Sequence, residues 1–332
     1  MSKINFTLIV CTYMRPIPLL NLLNSVKEQT LYPNEILIID GSTNDETRAI
    51  IAQNSFQNLT YFQVSEVDRG LTKQRNFGIS KISNDSEVIC FLDDDTILET
   101  LYFKELITTY SIFPDAVGVG GYITNEVEWE KVEENYVPKK DEFYFDGWKR
   151  KESKRFIIRK KLGLDSNKPP GFMPEFSNGR GVGYLPPSAK IYQVEHFKGG
   201  VASYRKEIFG RFQFSSYFEG YGLYEDADFT LRISKTGNLY LNSNARLAHY
   251  HNVSGRPDKF KYGKMVVRNG WYVWRVNFPN PSLKARVKWN LITLILSFIL
   301  LSNVLTKPKK RETTNEFAGR IMAWFSLLFK EK

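Results

Sequence analysis

The sequence predicts an α/β fold: a mostly parallel central sheet flanked by helices, followed by a helical C-terminal appendage. Three observations carry this. Short apolar runs alternate with amphipathic stretches over the first 123 residues, two of those runs end in aspartates, and the pattern is helical from Pro257 onward. The chain has 332 residues, 42% of them hydrophobic, 14% aromatic and 25% charged, which is enough to bury a full core and excludes disordered and fibrous classes.

The runs "INFTLIV", "NEILIID", "NLTYFQV", "EVICFL" and "AVGVGGYI" are expected as strands. "FTLIVC" lacks the length and basic flank of a secretory core and is expected as a buried strand, not a signal peptide. Cys11 and Cys90 each lie inside an apolar run, which excludes a disulfide scaffold and points to a reducing compartment. The first connection, "PIPLLNLLNSVKEQT", carries Leu19, Leu20, Leu22, Leu23 and Val26 at helical spacing after a proline-rich start. In the second, Ser42, Thr43 and Asn44 supply cap oxygens, and Asp45 and Glu46 suit the positive end of a helix.

From about Thr124 to Gln193 periodicity stops, and functional loops are expected. "GGVASYRKEIF" reads as a helix. "EDADFTLRISKTG" reads as another, closed by Gly237, with strands near Leu239 and from Ala245 to His251. The C-terminal helices are interrupted at "PNP" and "TKPKKRETT".

Charge is divided unevenly. Of the net +10, the residues from Arg256 onward hold sixteen Lys/Arg against four Asp/Glu, a balance of +12 that leaves the rest near −2. The same region contains the uncharged run Trp289 to Thr306. As a helix this is about 27 Å long against a hydrocarbon core of about 30 Å, and Asn290, Thr293, Ser297, Ser302 and Asn303 weaken its insertion. In the later "FAGRIMAWFSLLF", Phe317, Ile321, Trp324, Phe325 and Leu328 recur at three- and four-residue steps. Both segments are expected in the interface of an anionic membrane, a better match than nucleic acid for so much unbroken Leu and Ile. A soluble helix bundle is the alternative.

Three clusters carry chemistry. "FLDDDT" sets Asp93, Asp94 and Asp95 directly after a strand, where mutual repulsion calls for a cation and oxygen ligands suit Mg2+ or Mn2+; a solvated helix cap is the alternative. "LIIDGSTND" ends another strand at Asp40, whose carboxylate can accept a base imide N–H or cap the next helix, while Thr12, Tyr13 and Arg15 can reach a base or diphosphate. "DRGLTKQRNFGIS" offers Arg75 to a nucleotide, and Gly78 would let its helix approach the strand of Asp93; a surface basic helix is the alternative.

These pieces in this order resemble the family 2 inverting glycosyltransferases of GT-A fold, of the bacterial surface-polysaccharide type, from Ile4 to about Asn277. "VCTYMR", "IIDGSTND", "GLTKQRNFGI", "FLDDD" and "GGVASYRKEIF" with "FEGYGLYEDADFTLR" carry the resemblance. It implies a Rossmann-like nucleotide-binding sheet with Asp95 as metal ligand, Asp93 as ribose and nucleotide contact, Asp94 in support and Asp226 as catalytic base. Gln74 stands where alanine is often seen, and Ser215 where many members have Asp, a change expected to affect acceptor contacts. His249 and His251 lie two apart and share a face of a regular strand; "HNVSGR" matches the family's His-x-x-Ser better from His251, which implies His251 at the metal, with a structural role as the alternative.

The implied organisation is a GT-A catalytic domain over 1–255, divided into a nucleotide-sugar half (1–121) and an insertion and acceptor half (122–255). A basic membrane-interface region follows over 256–332. The implied reaction passes a sugar from a nucleoside-diphosphate donor to a glycan or polyprenyl-linked glycan with Mn2+ or Mg2+, at the cytoplasmic face of the membrane and without nucleic acid. A carboxylate base suits it, because an acceptor hydroxyl is a poor nucleophile until its proton is taken. A metal-dependent nucleotidyltransferase is the rival enzyme class, disfavoured by the lack of a Gly-rich phosphate loop followed by Lys. A membrane-associated glycan-binding protein is the rival without catalysis, disfavoured by the clustered carboxylates.

Overall fold

The computed structural model describes residues 4–218, 220–251, 257–302 and 310–328. Glu219 of the "FEGYGLY" stretch, residues 252–256 of "HNVSGR", residues 303–309 around the second helix break and Phe329 lie outside the described residues. Contacts divide the chain into two compact units, Met1–Glu128 with Gly181–Ser254, and Trp129–Arg180 with Gly255–Lys332.

In the first unit, β1 (Phe6–Thr12), β2 (Glu35–Asp40), β3 (Leu59–Gln63) and β4 (Val88–Asp93) pair in parallel in the order β3-β2-β1-β4. They are joined by α1 (Pro16–Lys27), α2 (Glu46–Ala52) and α3 (Leu71–Ile79). After β5 (Thr96–Leu98) and α4 (Tyr102–Ile112) comes β6 (Ala116–Ile123), so all five expected strands form. Alternation sorts their side chains. Phe6, Leu8, Val10, Cys90 and Leu92 share a core with Leu19, Leu22, Leu23 and Val26 of α1 and with Tyr102, Phe103 and Leu106 of α4. Ile9 and Ile39 face α3. The prolines at the start of α1 fit its first turn, where a missing N–H costs nothing. The cap of α2 differs from expectation: Ser42 Oγ accepts from Met14 N, and only Asn44 reaches the helix, at Glu46 N.

The second unit begins with β7 (Glu130–Lys131), β8 (Glu142–Phe145) and β9 (Trp148–Lys151), a small antiparallel sheet, followed by α5 (Lys154–Lys161). Returning to the first unit, β10 (Ile191–Val194), β11 (Val201–Arg205), α6 (Glu225–Ile233) and β12 (Asn238–His249) complete a nine-stranded mixed sheet. Here the expected helix "GGVASYRKEIF" is corrected. Val201 to Tyr204 are buried and form a strand antiparallel to both β4 and β6, and only Lys206–Gly210 turns as a 3-10 helix. At Gly78 a Cβ would meet Ile9 and Ile39, because α3 lies over β1 and β2 at that point.

Residues 129–180, expected as loops of the catalytic domain, group with α7 (Lys259–Asn277), α8 (Leu283–Ser302) and α9 (Lys310–Leu328). Trp274 donates to the Glu175 carbonyl, Ser282 N to the Glu175 carboxylate, and Lys288 lies over Phe176. Buried Arg180 spans Glu152 and Asp165 and stacks 4.3 Å over Phe156. Asp258 caps α7 through Phe260 N and Lys261 N. α7 and α9 cross backbone to backbone: a Cβ on Gly263 would lie 2.1 Å from the Glu316 carbonyl, and one on Gly319 2.1 Å from that of Phe260. Trp274 stacks on Trp289 of α8, and Trp324 of α9 donates to Asn290.

Candidate active site

The C-terminal edge of a parallel sheet is where connections leave and a crevice opens. The register puts Thr12 beside Asp40 and Cys11 beside Asp93 along that edge. β11 arrives antiparallel, so its start, Gly199 and Gly200, meets the end of β4, where Asp93 N donates to the Gly200 carbonyl. The end of β12 pairs with β5, setting His249 opposite Thr96. Asp93, Asp94, Asp95, Arg75, Asp226 and His249 are thereby brought to one place.

The three adjacent aspartates differ. Asp94 is buried, accepting from Thr12 Oγ1 at 2.7 Å and Arg15 Nη1 at 3.0 Å. Burial, partly offset by Arg15 and the Thr12 hydroxyl, lifts its carboxyl to about 6. Asp95 lies 3.5 Å from Arg15 Nη1 and 3.0 Å from His249 Nε2. Asp93 is the most open of the three, 3.9 Å from the same His249 nitrogen. Ligand atoms of Asp93, Asp95 and His249 lie within 4.8 Å of one another, two carboxylates and an imidazole that fit a divalent cation. His251, which the resemblance put at the metal more readily than His249, lies 3.2 Å from Glu126, because β12 ends at His249 and that residue pairs into the sheet beside the aspartates. Glu126, His249 and His251 form a second group whose ligand atoms lie within 4.8 Å of one another.

Burial works against a charged His249, but Asp95 and Glu126 outweigh it and lift the imidazole to about 9. For Glu126, burial is outweighed by His249 and Lys198, which hold its carboxyl at about 2. Nothing in the sequence marks Glu126 or Lys198, which acquire partners only through the fold.

Arg75 is 2% exposed. Expected as a nucleotide contact, it is enclosed between Phe91 and Phe214, with Nη1 on Glu225 at 2.5 Å and Nη2 3.6 Å from Asp93. Its neighbours on α3 hold the surrounding loops. Gln74 donates to the carbonyls of Thr12 and Ile39, joining the ends of β1 and β2, a task alanine could not perform. Asn76 pairs with both backbone groups of Phe214, and Thr72 donates to Phe218. Ser215 lies in that stretch and closes a local turn, accepting from Tyr217 N.

The first turn of α6 presents three acids with different fates. Glu225 is tied to Arg75, and Asp228 is fully buried and bound by Arg232. Asp226 is half-buried, accepting from Gly199 N at 3.2 Å and Ala227 N at 2.8 Å. Tyr224 enters this helix with φ 71°, a strained conformation for a tyrosine. Burial and the nearby Asp226 charge outweigh Arg75 and lift Glu225 to about 8; one of its oxygens is buried without a hydrogen bond.

The two glycines explain the close approach. A Cβ on Gly200 would lie 2.0 Å from the Asp93 carboxylate, and one on Gly199 would lie 2.8 Å from both Arg75 and Glu225. Asp40 is fully buried, its oxygens accepting from Ser42 N at 2.8 Å and Tyr61 OH at 2.7 Å, so its observed contacts brace the turn. Tyr13 is 42% exposed at the same edge. Both cysteines are free thiols, and burial pushes Cys11 up to about 12.

The sequence profile of glycosyl transferase family 2 matches residues 7–199, more than half of the chain. The chain belongs to glycosyl transferase family 2. Among curated proteins it is similar to the O-antigen chain rhamnosyltransferase RfbN of Salmonella typhimurium, 33% identical over 32% of this chain and 33% of that protein. It is also similar to the glucosyl-dolichyl phosphate glucuronosyltransferase of Haloferax volcanii, 28% identical over 42% of this chain and 43% of that one. The matches thus span less than half the length of these relatives. A solved structure of GalNAc-T7 with UDP, GalNAc and Mn2+ superposes with a TM-score of 0.51 at 15% identity, covering 80% of this chain and 48% of that one, a likeness of fold.

Proposed function

We propose that the first unit is an inverting glycosyltransferase that moves a sugar from a nucleoside-diphosphate donor to a hydroxyl of a glycan or polyprenyl-linked glycan in cell-surface polysaccharide synthesis. The observation that carries this reading is the arrangement around Gly199 and Gly200. One acid of α6, Asp226, has no arginine partner among the described residues and is held by a backbone N–H, and the next glycine is pressed against Asp93. The names of the curated relatives and the UDP of the GalNAc-T7 structure support the same chemistry.

In this reading Asp226 accepts the proton of the acceptor hydroxyl as its oxygen attacks the anomeric carbon, and the nucleoside diphosphate leaves from the opposite face. Gly199 N–H holds the carboxylate in place for that transfer. Asp95, Asp93 and His249 would hold Mn2+ or Mg2+, which when bound offsets the growing charge of the leaving diphosphate. The nitrogen donor favours Mn2+, since Mg2+ takes oxygen shells. Arg15 and Asp94 keep Asp95 oriented, Tyr13 is available to a base, and Arg75 fixes Asp93 and Glu225 in relation to each other. Asp40 and Thr12 shape the wall against which the nucleotide lies.

The second unit is proposed to bind the cytoplasmic face of an anionic membrane as a peripheral or monotopic element. Among the described residues, α8 is the one helix long and apolar enough to cross a membrane. Leu283, Val287, Leu291 and Phe298 are exposed along one stripe of it, beside Lys284 and Arg286. Thr293 and Ser297 donate to their own helix, so their hydroxyls need no water.

The catalytic reading is tested by incubating the purified chain with Mn2+, a panel of sugar nucleotides and lipid-linked acceptors. Nucleoside diphosphate and a product of inverted anomeric configuration are expected. Release of pyrophosphate, or retention of configuration, would overturn it.

A further inference from the structure

We propose that Glu126 is a positioning residue for His249, directing the imidazole toward Asp93 and Asp95, and that Lys198 holds Glu126 in place. The inference rests on the cation site read above and adds what aims its one nitrogen donor.

The chain leaving β6 runs alongside the end of β12. Thr124 donates to the Leu247 carbonyl from both its backbone and its hydroxyl. Asn125 then pairs with both backbone groups of His249, its amide N–H₂ donating to the carbonyl at 3.0 Å and its oxygen accepting from the N–H at 2.9 Å. With the backbone of His249 fixed, Glu126 comes next and faces the ring: its Oε1 lies 3.5 Å from Nδ1. The other ring nitrogen, Nε2, lies 3.0 Å from Asp95 and 3.9 Å from Asp93.

His249 Nδ1 is buried and makes no hydrogen bond, and the carboxylate beside it is Glu126; an imidazole that gives its Nδ1–H to such a carboxylate has its Nε2 lone pair free and fixed in direction, which is how the outer partner of a ligating histidine sets its tautomer and orientation. Lys198 forms an ion pair with the other oxygen of Glu126 and directly precedes Gly199, whose N–H holds Asp226. The same short segment therefore steadies the aspartate base and, through Glu126, the imidazole.

The test is Mn2+ titration by electron paramagnetic resonance on the full chain without sugar nucleotide, with thermal unfolding recorded for each variant. Glu126→Ala is expected to weaken Mn2+ binding by about 10- to 100-fold, and Glu126→Gln, whose carbonyl can accept the Nδ1–H, to recover to within about threefold of the parent. Asp95→Ala should lose binding and His251→Ala should retain it. Parent affinity in Glu126→Ala, with loss in Asp95→Ala, would overturn the role of Glu126 and leave the cation site standing. Parent affinity in Asp95→Ala would overturn the site itself and this inference with it. Loss in His251→Ala would put the cation between Glu126 and the two histidines and overturn the positioning role.

Discussion

Arg75 Nη1 donates to Glu225 Oε1 at 2.5 Å, joining helices α3 and α6 across 150 residues of chain. Because its other nitrogen faces Asp93, this buried cation sets the distance between the aspartate cluster and the first turn of α6. Asp226, one residue beyond Glu225, is left in the crevice. Asp226→Asn keeps the shape and loses the proton acceptor, so turnover should fall by a factor on the order of 10² to 10⁴ while donor binding, followed by calorimetry, stays near the parent value. Near-normal turnover would remove Asp226 from its role.

The cation site predicts a metal requirement. Transfer should stop in EDTA and return with Mn2+, and Asp95→Ala should abolish both transfer and metal-dependent nucleotide binding, since a cation held by few protein ligands does not tolerate losing one. Equal rates with and without EDTA would contradict this.

Gly200→Ala tests packing without altering any charged group. Its methyl would lie 2.0 Å from Asp93, so the carboxylate must move, and a displacement of about 1 Å at a reacting centre costs on the order of 10² in rate. Gly210→Ala, with nothing within 4 Å, is the control and should be unaffected.

Glu225 gives stability a pH dependence with a definite sign. Its carboxyl is lifted from 4.5 to about 8 in the folded chain, so over that window the native state binds a proton that the unfolded state has released. Stability should therefore fall as pH rises through the window. Glu225→Gln should flatten that part of the profile of melting temperature against pH, and an unchanged slope would place the proton elsewhere.

Membrane association is read by fractionation. The parent chain should sediment with membranes at low salt and be released by alkaline carbonate, whereas Leu291→Glu with Phe298→Glu, both on the exposed stripe of α8, should shift it to the soluble fraction. Resistance to carbonate would mean a span, and recovery of the parent in the soluble fraction would remove the membrane from the account.

The parallel strands and the C-terminal helices were legible because each is a local pattern: an apolar run closed by polar residues, or a three-to-four-residue repeat. β11 was not. "YRKEIF" mixes charge and aromatics as a helix does, and what makes Val201 to Tyr204 a strand is pairing with β4 and β6, each more than eighty residues away. Arg75 illustrates the same limit. Its motif is visible, but the aromatic walls that enclose it, Phe91 and Phe214, come from distant segments, so a reading from spacing gives it to the ligand and the fold gives it to Glu225. Alternation along a strand cannot separate His249 from His251, since both face one side; pairing opposite Thr96 brings His249 to Asp95 and leaves His251 beside Glu126.

The crossing of α7 and α9 fixes more than their separation. Gly263 and Gly319 each leave a notch filled by a carbonyl of the other helix, with no side chain between to yield. A screw motion of α9 by one residue, about 1.5 Å along its axis and about 100° around it, would bring Ala318 or Arg320 to the notch, and either Cβ would collide with the Phe260 carbonyl. The pair is therefore riveted against that motion: α9 cannot be unscrewed past α7 by one residue while the two backbones stay in contact.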